Sequence, residues 1–401
     1  FFQNGGGPCY IVSVGTYDKT DEIAAGDDAS GLLSGLVPLL KEQEPTMVVV
    51  PDAVLLGRID CVRVQTEVLR HCGHDMKNRV AILDVWGGDR DSRDGCIDEF
   101  RNDIGINFLQ YAAAYYPWLE TSLVQAAELD YEIFGNPEGL AALLRDDAGL
   151  SEAVVEGADP NTRQRLSALA DIANDTLAWR ARLVDDIEAS AKSEADKRSA
   201  LARLDNPALL KSDIEPHRAL LHKTLMRMGD LFPSFMEEAQ RQMNLMPPAA
   251  AMAGVYAMVD STRGVWKAPA NVSLAAVIGP SVKITHQDQE SLNVDPTAGK
   301  SINAIRAFAG KGTIVWGART LAGNDNEWRY VSVRRLFVMI EESTQKATAF
   351  AVFEPNDATT WLKVKAMIES YLHGLWEQGA LAGPTPMLTM VMPLRSPRIR
   401  W

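Results

Sequence analysis

Short apolar runs separated by longer amphipathic stretches are the feature that most constrains the fold of this 401-residue chain. Three runs rich in β-branched and aliphatic residues are predicted strands: residues 10–14, 47–50 and 80–85. Between them, residues 30–41 and 59–71 carry apolar side chains at helical spacing. Almost continuously apolar strands that alternate with helices are typical of a parallel sheet covered on both faces. Residues 1–121 are therefore predicted to form the first half of an α/β sheet.

The composition changes between residues 122 and 246, where Ala, Leu, Glu, Asp and Arg recur at helical spacing. Pro160, Pro207 and Pro233 divide this stretch into several predicted helices, because proline is disfavoured inside a helix. We expect residues 122–246 to be a helical insertion.

Alternating strands and helices return after residue 247. The predicted strands are residues 312–316, 328–333 and 349–353, and the predicted helices are residues 333–344 and 357–376. Asn356 or Asp357 is the predicted cap of the second helix. Residues 247–386 are thus interpreted as the second half of a doubly wound α/β core assembled from the N- and C-terminal parts of the chain. Residues 387–401 form a separate tail.

The overall charge restricts the partners that this chain is expected to bind. A formal net charge of −13 and a pI of about 5.0 argue against a surface that neutralises nucleic-acid phosphates or anionic lipids. No apolar run is long enough for a membrane span. The four cysteines lack the spacing of a disulfide framework, so we expect reduced thiols and assembly in the cytoplasm.

Four sequence patterns resemble ligand sites but lack a required residue. Residues 295–301 end like a phosphate loop, yet Val294 stands where the first glycine is needed. The alternative for these residues is a polar loop that caps a helix starting near Ile302. Residues 71–74, His-Cys-Gly-His, have no second ligand pair at zinc-like spacing, and the acidic turn at residues 89–100 has Phe100 at the position of the bidentate acid of a calcium loop. The glycines of residues 4–7 precede a predicted strand instead of following one. No catalytic, cofactor-binding or metal-binding residue is therefore predicted, and we expect no enzyme activity and no cofactor.

Trp, Arg and Pro are concentrated in residues 253–271, 314–322, 328–336 and 352–357. Such side chains commonly anchor protein interfaces, although a place in the core is the alternative for any single tryptophan. Several basic groups in an acidic chain predict a basic face that meets an acidic face of a neighbouring copy. The predicted subunit-interface residues are Arg263, Trp266, Lys267, Arg319, Arg329, Arg334 and Arg335. For Arg334 and Arg335 we expect carboxylate partners on the adjacent subunit.

These four blocks, in this order, resemble the sheath proteins of contractile phage tails and of related contractile injection systems. The resemblance extends from Phe1 through residues 115–118 to residues 379–383, and residues 283–286 with 292–294 are closest to the injection-system branch. It implies a structural subunit that polymerises with itself as stacked six-fold rings, in a helical polymer around an inner tube protein. It also implies baseplate and terminal cap proteins as partners, and contraction that drives the tube through a target envelope.

The resemblance further implies a phage tail or an injection-system particle, with release from the cell as one alternative, and terminal arms that add strands to neighbouring sheets. The family's N-terminal arm would precede Phe1, and residues 387–401 do not look like its C-terminal arm, so this end is a divergent tail, a frame-shifted end or a truncation. We expect the helical insertion to lie on the outer side of the polymer. The alternatives are an α/β nucleotide-binding protein or enzyme with a helical lid, and an inner tube or baseplate protein.

Overall fold

The computed structural model describes residues 1–15, 23–150, 159–173 and 219–384, together with a few positions between 193 and 199. The chain divides into two compact units. The first combines residues 1–122 with residues from 245 onward, and the second comprises residues 123–244.

Helices and strands alternate in the first unit. Its helices are α1 (Gly31–Ser34), α2 (Leu36–Leu39), α3 (Arg58–Arg70), α4 (Cys96–Asp103), α8 (Ala249–Arg263), α9 (His286–Asn293), α10 (Val331–Ala347) and α11 (Ala358–Glu377). Its strands are β1 (Met47–Val48), β2 (Val80–Asp84), β3 (Ala112–Tyr116), β4 (Leu119–Thr121), β5 (Leu245–Met246), β6 (Val272–Ser273), β7 (Val277–Pro280), β8 (Asn303–Phe308) and β9 (Gly312–Val315). The second unit contains α5 (Pro137–Asp147), α6 (Pro160–Ala173) and α7 (Leu231–Met243).

The main sheet has six strands in the order β1-β2-β3-β8-β9-β6. The first four run parallel to one another, and β9 and β6 are antiparallel to their neighbours. Strands from the two ends of the chain meet where Tyr115 pairs with Asn303. The mixed sheet and its helices confirm the α/β class and the prediction of helix alternating with strand. The doubly wound description stays a prediction.

Helices cover both faces of this sheet because successive side chains of a strand point to opposite faces. On one face Leu83 and Ala114 belong to the same buried cluster as Val64 of α3. On the other face Ile82 and Tyr115 pack in a cluster with α8. Both clusters are apolar, so the strands are buried on two sides, as their uninterrupted apolar sequence predicts.

A second sheet contains the points where the chain leaves and re-enters the first unit. Its strand order is β5-β4-β7, and both pairings are antiparallel. Leu119 pairs with Met246, and Glu120 pairs with Leu245. The residues that flank positions 123–244 are therefore neighbours in one ladder.

The unit of residues 123–244 has its own apolar core. Leu144 of α5, Leu169 of α6 and Phe232 of α7 are buried in it. Helix α5 begins at Pro137, and the side chain of Asn136 caps it by accepting a hydrogen bond from the Gly139 N–H at 2.8 Å. Pro160 opens α6 and Pro233 lies in the first turn of α7, the part of a helix where proline is tolerated. Pro207 lies outside the described residues, as does the predicted tail, residues 387–401.

Several predicted elements differ in the structure. The predicted strand at residues 10–14 is irregular, and Ile11 is 86% exposed, because no neighbouring strand pairs with this β-branched run. The predicted strand at residues 328–333 is wrong, since α10 begins at Val331, and residues 349–353 form a 3₁₀ turn. A helix was expected to start near Ile302, where β8 begins instead. In these places tertiary pairing decides between conformations that the local sequence allows.

Candidate interaction surface

Helix α10 places Arg335 against α8. Its guanidinium donates two hydrogen bonds to the carboxylate of Asp260, one of them at 2.8 Å, and lies over the ring of Tyr256 at 5.0 Å from the ring centroid. The Tyr256 hydroxyl in turn is 2.8 Å from the hydroxyl of Tyr115 on β3. A bidentate ion pair of this kind fixes the orientation of both partners. It joins two helices of the same subunit.

Arg334 is held between aromatic rings. Its guanidinium carbon lies 4.2 Å from the ring centroid of Trp328 and 4.9 Å from that of Tyr111. The same guanidinium forms an ion pair with Glu341 at 3.0 Å. Cation–π contacts are strongest where water is excluded, and the Arg334 side chain is only 5% exposed. Arg334 therefore stabilises the packing of α10.

Arg334 and Arg335 thus find partners inside the subunit. Their residues are 4% and 6% exposed, so little guanidinium surface is left for a neighbouring copy. Carboxylates of an adjacent subunit were predicted for them because a sequence does not reveal buried partners. The structure gives both arginines an intramolecular role, and a contact with another subunit stays a prediction.

Arg319 and Arg329 are partly buried and share the ring of Tyr330, with distances of 5.8 Å and 5.9 Å between guanidinium carbon and ring centroid. Arg319 also donates a hydrogen bond to the carbonyl of Asn293 at 3.2 Å. The amide of Asn303 bridges the loop to β3 by donating to the carbonyls of Arg319 and Ala114. These contacts order the segment between β9 and α10.

The C-terminal end of α8 presents the most accessible of the predicted residues. Arg263 and Lys267 are exposed, and Trp266 is half-buried. Gly264 ends the helix with a φ of 91°, a value that favours glycine, and the indole of Trp266 packs directly against it. The side chains of Arg263 and Lys267 are thus accessible on the surface of this subunit.

The loop that resembles a phosphate site is filled by its own aspartate. The Asp295 carboxylate accepts hydrogen bonds from the backbone N–H groups of Thr297 at 3.0 Å, Ala298 at 3.1 Å and Lys300 at 3.3 Å. Burial opposes ionisation, but these hydrogen bonds outweigh it and hold the pKa of Asp295 below its usual range. The buried Arg101 lies 3.6 Å away. The donors that a phosphate would need are therefore engaged.

Several titratable groups are buried in the first unit. Burial raises the pKa of the Asp84 carboxyl to about 8, against the effect of a 2.7 Å hydrogen bond from the backbone N–H of Ala249. Burial and the nearby guanidinium of Arg79 lower the pKa of His71 to about 4. Burial also raises the pKa of the Cys72 thiol to about 12.

Helix α11 forms an apolar groove with the segment before it. The groove has a volume of about 770 Å³, and its apolar lining includes Ala351, Trp361, Val364, Ile368 and Leu372. The charged side chains of Glu354, Lys365 and Glu369 also line it. Sequence reasoning missed this surface because it interpreted α11 only as a covering helix of the sheet. The density of apolar residues on the helix was the available signal.

The described part of the chain contains no group of three or more His, Cys, Asp or Glu side chains that could hold a metal ion. Among the same residues, no helix is both long and apolar enough to cross a membrane.

Comparison with known proteins shows what this chain is similar to. Residues 323–387 match the family model of the phage tail sheath C-terminal domain, a segment that contains α10 and α11. The tail sheath protein of Vibrio phage KVP40 is 27% identical over 135 residues, which cover 34% of this chain and 20% of the phage protein. The tail sheath protein of Enterobacteria phage T4 is 25% identical over 128 residues, 32% of this chain and 19% of that protein. The aligned part thus spans about a fifth of these relatives.

Solved structures extend the similarity to nearly the whole chain. A chain in the cryo-EM structure of the six-fold symmetrised baseplate of the anti-feeding prophage is 26% identical, with a TM-score of 0.50 over 96% of this chain and 66% of that one. These similarities confirm the resemblance to contractile tail sheath proteins that the sequence predicts.

Proposed function

We propose that this chain is a structural subunit of a contractile sheath. The observation that carries the proposal is the likeness to an anti-feeding prophage chain over 96% of this sequence at 26% identity. Tail sheath relatives in two phages and the match to the sheath C-terminal domain support it. The subunit polymerises as stacked hexameric rings around an inner tube, and contraction drives the tube through a target envelope.

The proposed partners follow from this role. Other copies of the chain form the six-fold helical polymer, an inner tube protein fills it, and baseplate and terminal cap proteins close its ends. Arg263 and Lys267 are proposed as contacts between copies because they are exposed, with Trp266, Arg319 and Arg329 beside ordered loops. The subunit assembles in the cytoplasm and then belongs to a phage tail or an injection-system particle.

The alternative of a nucleotide-binding protein or enzyme with a helical lid has no supporting observation. Backbone N–H groups of the loop at residues 295–301 donate to Asp295, so they are not free for a phosphate.

The test is to find the chain in particles. An epitope tag is inserted after Gly149, an exposed glycine at the end of α5, in the producing strain. Gold-labelled antibody is expected to decorate the whole length of purified tubular particles in micrographs, since we also propose that the insertion of residues 122–246 faces outward. Label confined to one end would assign the chain to the baseplate or cap, and tagged protein that co-purifies with no tubular particle would refute the sheath proposal.

A further inference from the structure

Helix α11 is apolar yet poorly covered. Of its twenty residues only Thr360 and Leu375 are buried. Trp361 and Leu362 are 61% and 66% exposed, and Phe353 just before the helix is 96% exposed. A helix of such apolar content is normally packed against another surface, and a contiguous exposed apolar patch marks an interaction site.

The groove beside α11 has a defined shape. The Nε1 of Trp361 donates a hydrogen bond of 2.7 Å to Oδ1 of Asn356, which fixes the indole at one end of the groove. Ile368 and Leu372 continue the apolar lining along the helix, four residues apart. The groove is therefore a strip that follows the helix axis.

The chain turns back onto this face where α11 ends. Gly379 has a φ of 77°, and the N–H of Ala380 donates to the carbonyl of Leu375 at 2.9 Å, a left-handed helix stop. The Nε1 of Trp376 then donates to the carbonyl of Gly383 at 2.9 Å. Trp376 follows Leu372 by four positions, so it lies on the same face as the groove. The described chain thus ends beside one end of the groove.

Residues 385–401 have the composition that this groove fits. Their apolar residues are Met387, Leu388, Met390, Val391, Met392, Leu394, Ile399 and Trp401, and their charged residues are Arg395, Arg398 and Arg400, with no acid. Unbranched methionines adapt to irregular apolar surfaces. The groove offers an apolar floor with the carboxylates of Glu354 and Glu369 and the ammonium of Lys365, which lies 3.7 Å from the Glu369 carboxylate. The two surfaces are therefore complementary in polarity, and the acidic groups of the groove outnumber its basic group.

The length of the groove along α11 also agrees with the length of the extended tail. From Trp376 to Trp361 the helix rises about 22 Å, at 1.5 Å for each of fifteen positions. An extended chain covers that distance in roughly seven residues. Residues 385–392 are sufficient to fill the groove in the direction opposite to the helix, and the arginines would then follow near Glu354.

We propose that residues 385–401 dock into the α11 groove of the same chain. The tail is attached directly beside its site, so its effective concentration is in the millimolar range, which favours the same chain over a second copy. The docked segment covers the apolar face of the free subunit. This inference is independent of the sheath proposal.

Hydrogen exchange of the full-length chain tests the docking. The double variant Leu388→Asp, Val391→Asp places charge in the apolar part of the tail without altering the described core. We expect backbone amides of α11 around residues 361–372 to exchange roughly tenfold faster than in the parent chain, with α8 unchanged. The matched control, Leu388→Met with Val391→Ile, should exchange like the parent. Equal exchange in the Asp variant and the parent would overturn the proposal.

Dilution distinguishes docking of a chain's own tail from docking of the tail of a second copy. Docking within one chain predicts that α11 protection is the same at protein concentrations a factor of about ten apart. Protection that falls on dilution would instead assign the groove to a second copy and overturn docking within the chain.

Discussion

The guanidinium of Arg335 and the carboxylate of Asp260 form an ion pair between α10 and α8, and both residues lie in the blocks that carry the sheath resemblance. Their side chains are 6% and 22% exposed. The aromatic rings of Tyr256 and Tyr115 extend the contact to β3. Side chains of the Trp- and Arg-rich blocks therefore form stabilising contacts within one subunit.

Replacing Arg335 by Met is expected to destabilise the subunit. The change leaves the Asp260 carboxylate without its partner, and removing one member of a buried pair costs about 3–5 kcal/mol, here about 2–3 kcal/mol because Asp260 keeps some solvent. The measurement is urea unfolding followed by tryptophan fluorescence. Lys346→Met is the control, since its pair with Glu342 is 65% exposed on the lysine side and should contribute less than about 1 kcal/mol. Equal losses of unfolding free energy in the two variants would contradict a stabilising role for the Arg335–Asp260 ion pair.

Asp84→Asn is expected to stabilise the protein above neutral pH. The folded-state pKa of about 8 is above the unfolded value, so the folded protein binds the proton more tightly. Stability of the parent chain should therefore fall as pH rises between about 4 and 8, by at most about 1.4 kcal/mol per pH unit from this group. Asn keeps an acceptor for the Ala249 N–H and does not titrate. Melting temperatures at pH 5 and pH 8 measure the effect, and a gap between parent and variant that does not widen with pH would refute it.

Asp295→Ala should destabilise the loop without creating a nucleotide site. Three backbone N–H groups lose their acceptor, which costs about 2–4 kcal/mol. The exposed Asp89 provides a control in Asp89→Ala, which should change stability by less than about 0.5 kcal/mol. Thermal melts with millimolar ATP or GTP should show no shift in the parent chain. A rise in melting temperature with nucleotide that Lys300→Ala abolishes would instead support the nucleotide-binding alternative.

Replacing residues 123–244 by a short Gly- and Asn-rich linker should leave the first unit folded. Glu120 pairs with Leu245, so the two ends are strand neighbours and a tight turn can join them. We expect a cooperative thermal transition to persist while helical circular dichroism decreases. Loss of the transition would show that the two units are folded as one.

The alternation of strand and helix could be predicted because it depends on local spacing. The predicted ends of α3 and β2 lie within one residue of the observed ones for the same reason. Asp357 caps α11 by accepting from the Thr360 N–H at 2.9 Å, as one of the two predicted caps. The predicted boundaries at residues 122 and 246 lie beside the division at Leu123 and Asn244, although their assignment to sheath parts stays a prediction.

The partners of buried charges could not be predicted. Asp260 and Arg335 are 75 positions apart, and Arg101 donates to the carbonyl of Lys300 across 199 positions. No periodicity links residues at such distances, so Arg335 was interpreted as a surface residue. The predicted strand at residues 10–14 failed for a related reason, because β-branched propensity does not supply a neighbouring strand.

The pairing of β3 with β8 also has a consequence during synthesis. Tyr116 leaves the ribosome long before Asn303, and the insertion is made in the interval. At the usual translation rates of 5–20 residues per second, the side of β3 that will pair with β8 stays unpaired for roughly ten to forty seconds. During that time an apolar strand is open to wrong partners, including nascent copies of itself. We expect newborn chains to depend on chaperones, and the rate of correct folding to limit how quickly subunits become available.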